Sequence, residues 1–214
     1  MTTPTATPRL VNSADDAAAT VLLAHGAGAP MDSPFMAAMA EGLAARGWRV
    51  VRFEFPYMAR QRLTGKKSAP DRMPVLQDCF RAQVHLERER GNGPLVIGGK
   101  SMGGRIASLL ADPLAVQGCL CLGYPFHPPG KPTQLRTEHL AALSTPTLIL
   151  QGERDSFGGR GEVDTYPLSP QIQLQWLTAG DHSFKPTKSS GLSEAENWQT
   201  AISRADQFLQ ALVR

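Results

Sequence analysis

The residues most able to do chemistry lie at Gly98-Gly99-Lys100-Ser101-Met102-Gly103-Gly104, where a serine has a glycine two positions away on each side. In the G-x-S-x-G pattern a sharp strand-to-helix turn lifts the serine hydroxyl above a sheet as a nucleophile. Gly99 and Gly103 fit that bend, since a Cβ at either would strike the neighbouring strand or helix. A serine hydroxyl is a weak nucleophile at neutral pH and needs a base. Of the five histidines, His85 and His139 fall in helical segments, His127 sits beside prolines, and His25 opens His25-Gly26-Ala27-Gly28. His182, in Gly180-Asp181-His182-Ser183-Phe184, lies just past the last strand and can reach over the sheet edge to Ser101. A carboxylate must fix the imidazole tautomer. Asp155, just beyond a strand, is the first choice, with Glu153 as the fallback; Asp181 is too near His182 in sequence. Acyl transfer also needs an oxyanion hole, expected from the backbone N–H groups of Met102 and of Ala27 or Gly28. His25 is read as structural, holding that loop by hydrogen bonds.

Gly99-Lys100-Ser101 also resembles the end of a phosphate-binding loop, which requires G-x-x-x-x-G-K-[ST]. The position of the first glycine is Pro94, and Leu95-Val96-Ile97-Gly98 reads as strand rather than cradle. No metal-ligand spacing is present, so no metal and no cofactor are expected. Cys119 and Cys121 sit within an apolar run and read as buried thiols.

Short apolar runs supply the positioning elements: Ala19–Ala24, Trp48–Phe55, Leu95–Gly98, Ala115–Gly123, Thr147–Gln151 and Ile172–Thr178. Their near-continuous hydrophobicity predicts parallel strands covered on both faces. Between them lie helical stripes. Ser33-Pro34 opens one that ends at Gly47. Met73, Leu76, Phe80 and Val84 mark a second, and a third runs from Met102 to before Asp112-Pro113. Ser193-x-x-Glu196 caps the last, with Trp198, Ile202, Ala205 and Leu209 on one face. Core packing accounts for these stripes. The alternation predicts an α/β fold, a mostly parallel sheet of about six to seven strands with helices on both faces. Three long loops, 57–70, 124–136 and 157–170, follow strand carboxyl ends, where such sheets keep their sites.

Length and composition agree with one domain over 9–214 after a disordered tail at 1–8. The chain has 214 residues, 42% hydrophobic and 19% charged, so coiled coil and collagen are excluded. A net charge of +3 gives no sign of a nucleic-acid partner. With no apolar leader and no membrane-length run, a cytoplasmic protein is expected, with no membrane partner and an unreadable oligomeric state. The 57–70 loop carries Arg60, Arg62, Lys66 and Lys67 and no acid. It is either a solvated loop or, with Lys100, a grip for an anionic substrate.

The motifs HGAG at 25–28, GGKSMGGR at 98–105, QGERD at 151–155 and GDHSF at 180–184 together resemble the α/β-hydrolases. The order Ser101, Asp155, His182 is also that of this superfamily. With FPYMAR…GKK at 55–67, the resemblance is to the small, cap-less, dienelactone-hydrolase-like branch, whose dienelactone hydrolases use cysteine where this chain has Ser101. It implies a lid-free fold whose usual leading antiparallel strands are short or missing. The expected activity is hydrolysis of an ester or thioester, with a small-molecule acyl substrate. A catalytically silent fold used for binding is the alternative, and a nucleotide hydrolase trails both.

Overall fold

The computed structural model describes residues 7–14, 16–91 and 93–214. In chain order the elements are β1 (Arg9–Asn12), β2 (Thr20–Ala24), α1 (Pro34–Ala44), β3 (Arg49–Phe53), α2 (Pro56–Thr64) and α3 (Met73–Arg90). They continue with β4 (Leu95–Lys100), α4 (Met102–Ala111), β5 (Gly118–Leu122), β6 (Thr147–Gly152), α5 (Arg160–Val163), β7 (Ile172–Leu177) and α6 (Glu194–Leu212). One seven-stranded sheet runs β1-β3-β2-β4-β5-β6-β7, parallel except for β1, which pairs antiparallel with β3.

The six expected strands are all present. Strands β4, β5 and β6 are buried along their whole length, as continuous apolar runs require when helices cover both faces. α1 and α6 fill one face, with Met36, Met39, Leu43, Ile202 and Leu209 against Val21, Leu23 and Val50. α3 and α4 fill the other, with Phe80, Val84, Ile106 and Leu110 against Leu22, Val51 and Ile97. The capping box is formed: the Ser193 hydroxyl accepts from the Glu196 N–H, and the Glu196 carboxylate accepts from the Ser193 N–H.

The chain reverses its direction of travel across the sheet at β2. From there it moves outward to β3, then returns to place β4 on the other side of β2. The carboxyl ends of β2 and β4 therefore flank a crevice, the place where open α/β sheets bind ligands.

As the resemblance implied, the leading antiparallel strand β1 is short, only four residues long. Leu10 and Val11 are exposed, so its backbone holds it rather than apolar burial, and hydrophobic patterning does not reveal it. Of the tail expected at 1–8, residues 1–6 lie outside the described residues. Pro8 is bound, its carbonyl accepting from the Glu54 N–H at 3.1 Å. The 57–70 segment is also not simply a loop. Pro56 and Gly65, the latter at φ 68°, start and stop α2, but the helix buries only Tyr57 and Met58 and so shows no apolar stripe. The 157–170 loop likewise holds the single turn α5. No helix among the described residues is long and apolar enough to cross a membrane.

Candidate active site

Ser101 alone makes the turn from β4 into α4. Its φ of 51° and ψ of −113° lie where a residue with a Cβ is strained. Its N–H donates to the Leu122 carbonyl at 3.0 Å, and its own carbonyl accepts from the Arg105 N–H at 3.0 Å. The end of β2 passes against the bend: a Cβ at Gly99 would fall on the Ala24 carbonyl oxygen, and one at Gly103 on the Ala24 and His25 oxygens. Both glycines are thus demanded by close approach. Although Ser101 sits at an N-cap, its side chain makes no capping bond, which leaves its proton free to point elsewhere. β4 is a fully buried strand right up to this bend, so there is no phosphate-cradling loop before it.

The hydroxyl meets His182. Ser101 Oγ lies 2.8 Å from His182 Nε2, and His182 Nδ1 lies 2.7 Å from Asp155 Oδ2. An ionised carboxylate only accepts, so Nδ1–H donates to Asp155 and Nε2 is left to take the serine proton. Burial, together with the nearby Lys100 charge, holds His182 below the usual histidine value, while Asp155 and Asp181 oppose the shift. The ring is therefore neutral at pH 7, as a base must be. The Phe157 ring stacks on it, 4.2 Å between centroids.

Asp155 is held by two further donors: the Gln151 side-chain amide reaches Oδ2 at 2.9 Å and the Phe157 N–H reaches Oδ1 at 2.8 Å. Gln151 is fully buried and also accepts from the Tyr124 N–H at 2.7 Å, tying the acid to the end of β5. The fallback acid Glu153 is engaged elsewhere, accepting from Arg160 and from the Ala179 N–H, both at 2.8 Å. Asp181 shapes the histidine loop, accepting from the Ser183 and Lys185 N–H groups. α6 anchors the same loop: Asn197 donates to the Phe184 carbonyl at 2.8 Å, and the Trp198 indole to the Ser183 carbonyl at 3.0 Å.

On the other side of Ser101 lies the loop after β2. His25 is buried, its Nε2 accepting from the Phe55 N–H at 3.0 Å, so Nδ1 carries the proton and donates to the Gly26 carbonyl at 2.6 Å. The Tyr57 hydroxyl is shared between the carbonyls of Gly26 (3.2 Å) and Ala27 (2.9 Å). Because the trans peptide sets C=O and N–H in opposite directions, the Ala27 and Gly28 N–H groups turn away from Tyr57. Gly26 passes against Ser101, a Cβ there falling 3.6 Å from the serine Cβ. Met102, the first residue of α4, has no intrahelical acceptor for its N–H. Ala27 and Gly28 line the same cavity as Ser101, and Met102 follows Ser101 at the start of α4. His25 acts structurally, as its sequence position suggested.

A cavity of about 560 Å³ opens beside Ser101 and His182. Ala27, Phe35, Met36, Phe157 and Trp198 make it largely apolar, with Lys100, Ser33, Ser183 and Glu194 as polar groups. The basic residues of 57–70 do not line it. Arg60 pairs with Asp71 at 2.6 Å, and Arg62 lies between Glu54 and Asp32. Lys66 and Lys67 are exposed and away from the cleft. Two of the four cations on 57–70, Arg60 and Arg62, are met by acids from outside it, and of Arg60, Lys66, Lys67 and Lys100 only Lys100 lines the cavity.

Tyr57, Gln151, Phe157 and Asn197 escape a reading by motif. Gln151 carried the clearest signal, a polar residue closing the apolar run Leu148-Ile149-Leu150.

Several solved structures are similar to this chain. An α/β serine hydrolase homologue from Coxiella burnetii has 17% identity and a TM-score of 0.70, covering 92% of this chain and 90% of its own. XC6422 from Xanthomonas campestris, described as a serine hydrolase without lid, has 20% identity and a TM-score of 0.68, covering 94% and 96%. Est1E from Butyrivibrio proteoclasticus, with ferulic acid bound, has 11% identity and a TM-score of 0.74, covering 97% and 95%. At these identities the likeness is one of fold. Residues 17–210 match the family described as "Alpha/beta hydrolase domain", and the chain belongs to that α/β-hydrolase family.

Proposed function

We propose that this chain is a serine hydrolase that cleaves a carboxylic ester or thioester. Ser101 attacks the acyl carbon while His182 Nε2 takes its proton, and Asp155 stabilises the imidazolium that forms. The Met102 N–H and that of Ala27 or Gly28 receive the developing oxyanion. His182 then returns the proton to the leaving oxygen or sulfur. Water, activated by the same nitrogen, releases the acid from Ser101. The observation that carries this reading is the unbroken line from Asp155 Oδ2 through His182 to Ser101 Oγ at the floor of the cleft, with contacts of 2.7 and 2.8 Å.

The cleft's chemistry favours a modest apolar or aromatic group beside the scissile bond, packed between Phe35, Phe157 and Trp198. A silent binding module has no need of a strained serine aligned with a neutral base and a buried acid. The test is labelling with a fluorophosphonate, followed by turnover of short p-nitrophenyl and coenzyme A esters. Covalent modification at Ser101 and ester release are expected. A wild-type protein that neither labels nor hydrolyses any member of the panel overturns the reading.

A further inference from the structure

Lys100 is the last residue of β4 and the immediate neighbour of Ser101. It is buried, and its ammonium donates to the carbonyl oxygen of His182 at 2.6 Å. The place it occupies is built for it. Gly123, at the end of β5 with φ 68°, leaves open the volume that a side chain would fill: a Cβ there would lie 2.9 Å from both Lys100 Nζ and the His182 carbonyl oxygen. The Phe35 ring closes the other side, 5.5 Å from Nζ to its centroid. Lys100 ends a strand that is buried along its whole length, whereas His182 sits on a loop.

We propose that Lys100 is a positioning residue, its ammonium gripping the His182 carbonyl so that the elbow carrying the nucleophile also holds the base in register. This role is distinct from the contact with a substrate anion that its position in the sequence suggested, since one N–H of the ammonium already serves the base loop. The inference rests on the reading of Ser101 and His182 given above.

The charges facing Nζ are Asp155 at the end of β6 and Asp181 and His182 on the loop after β7; Glu194 at the start of α6 lines the same cleft. α1 presents the Phe35 ring, and β5 presents Gly123. Burial lowers the ammonium to about 8 despite the two aspartates. Its charge in turn pushes His182 down, so removing it lets His182 rise.

The experiment compares wild type, Lys100→Met and Lys100→Arg on a neutral ester and on a carboxylate-bearing ester, across pH. Lys100→Met should lower kcat on the order of 10²-fold on both esters with KM little changed, the scale expected for a misplaced base. Its acid limb should move to higher pH, a change that lost packing alone would not cause. Lys100→Arg, which can still donate to the carbonyl, should recover part of kcat. Should Lys100→Met not fold, the wild type supplies a second measurement. Its rate on the neutral ester should fall as pH rises through about 8, where the ammonium is lost. A loss confined to the carboxylate-bearing ester, an unmoved acid limb, or a wild-type rate flat up to the ordinary lysine value of about 10.4 would overturn the proposal. Failure of wild-type Ser101 to label with fluorophosphonate is a different result and sinks the underlying reading instead.

Discussion

Two serines about two turns apart along α4 each meet a histidine, and only one pair is arranged for chemistry. Ser101 Oγ lies 2.8 Å from His182, and Ser108 Oγ lies 2.9 Å from His139. The proton directions differ. The Ser108 hydroxyl donates back to the Arg105 carbonyl at 2.9 Å, so it can only accept from His139 Nε2–H. Behind His182 stands Asp155, while the charge facing His139 is the guanidinium of Arg105. Ser101 borders a cavity at a strained turn, whereas Ser108 is 1% exposed inside a regular helix. A Ser–His hydrogen bond is therefore a poor sign of a nucleophile. What matters is where the serine proton points and what lies on the far nitrogen of the imidazole.

Replacing each serine gives the sharpest test of that distinction. Ser101→Ala should remove ester turnover by a factor on the order of 10⁶, with the fold kept, because alanine fits wherever serine does. Ser108→Ala should leave kcat within about threefold and cost about 1–3 kcal/mol of stability, since it removes both hydrogen bonds of the hydroxyl and leaves the His139 N–H without its acceptor. Ester assays and urea unfolding on both variants check it. A large catalytic loss in Ser108→Ala would erase the contrast. Next in size, Asp155→Asn should lower kcat on the order of 10⁴-fold. The asparagine amide would present a donor to Nδ1 and favour the wrong imidazole tautomer. If most activity survives, Asp155 is not the orienting acid, although neither Glu153 carboxylate oxygen points at His182.

Much of this was legible in the residues, for a physical reason. The nucleophile turn must have glycines where backbones touch, and strands covered on both faces must be continuously apolar, so Ser101, six strands and four helices announce themselves. β1 does not, because its stability comes from backbone pairing that any four residues can make. α2 does not, because a helix that buries two side chains shows no stripe. The charges on 57–70 mislead for a related reason: Asp32 and Glu54 come from other segments, and sequence alone does not reveal that they meet Arg62. Gln151 and Tyr57 act at second hand on Asp155 and on the Gly26 and Ala27 carbonyls, contacts that exist only once the sheet has formed.

Tyr57 gives a smaller effect on the same side of the comparison. Tyr57→Phe removes the hydroxyl that turns the Gly26 and Ala27 carbonyls, while His25 still holds Gly26. A loss in kcat of about tenfold is expected, below the 10²–10³ seen when an oxyanion donor itself is removed. KM for a small neutral ester should hardly change, and an unaltered kcat would show that the loop keeps its aim without the tyrosine.

The smallest effect separates the two histidines by pH. His182 is held below its usual value by burial and must be neutral to act, so kcat should rise with pH through a point below about 6.5 and hold until the Lys100 ammonium is lost near 8. His139 is pushed to about 4, by burial first and Arg105 second, and the proposed mechanism gives it no part in the chemistry. Between about 6.5 and about 4 the unfolded chain takes up a proton at this residue that the folded chain refuses. Stability is therefore lost as pH falls through that window. His25 and His182 are lowered as well and add to the slope in the same direction. His139→Gln keeps an amide donor for Ser108 but cannot titrate. It should flatten the acid side of the stability profile without abolishing its slope, and leave the acid limb of kcat where it was. Urea unfolding and ester turnover at matched pH values read the two quantities separately. If His139→Gln shifted the limb of kcat, the second Ser–His pair would be coupled to the first. The helix between them would then transmit that coupling, and the two pairs could no longer be treated as independent.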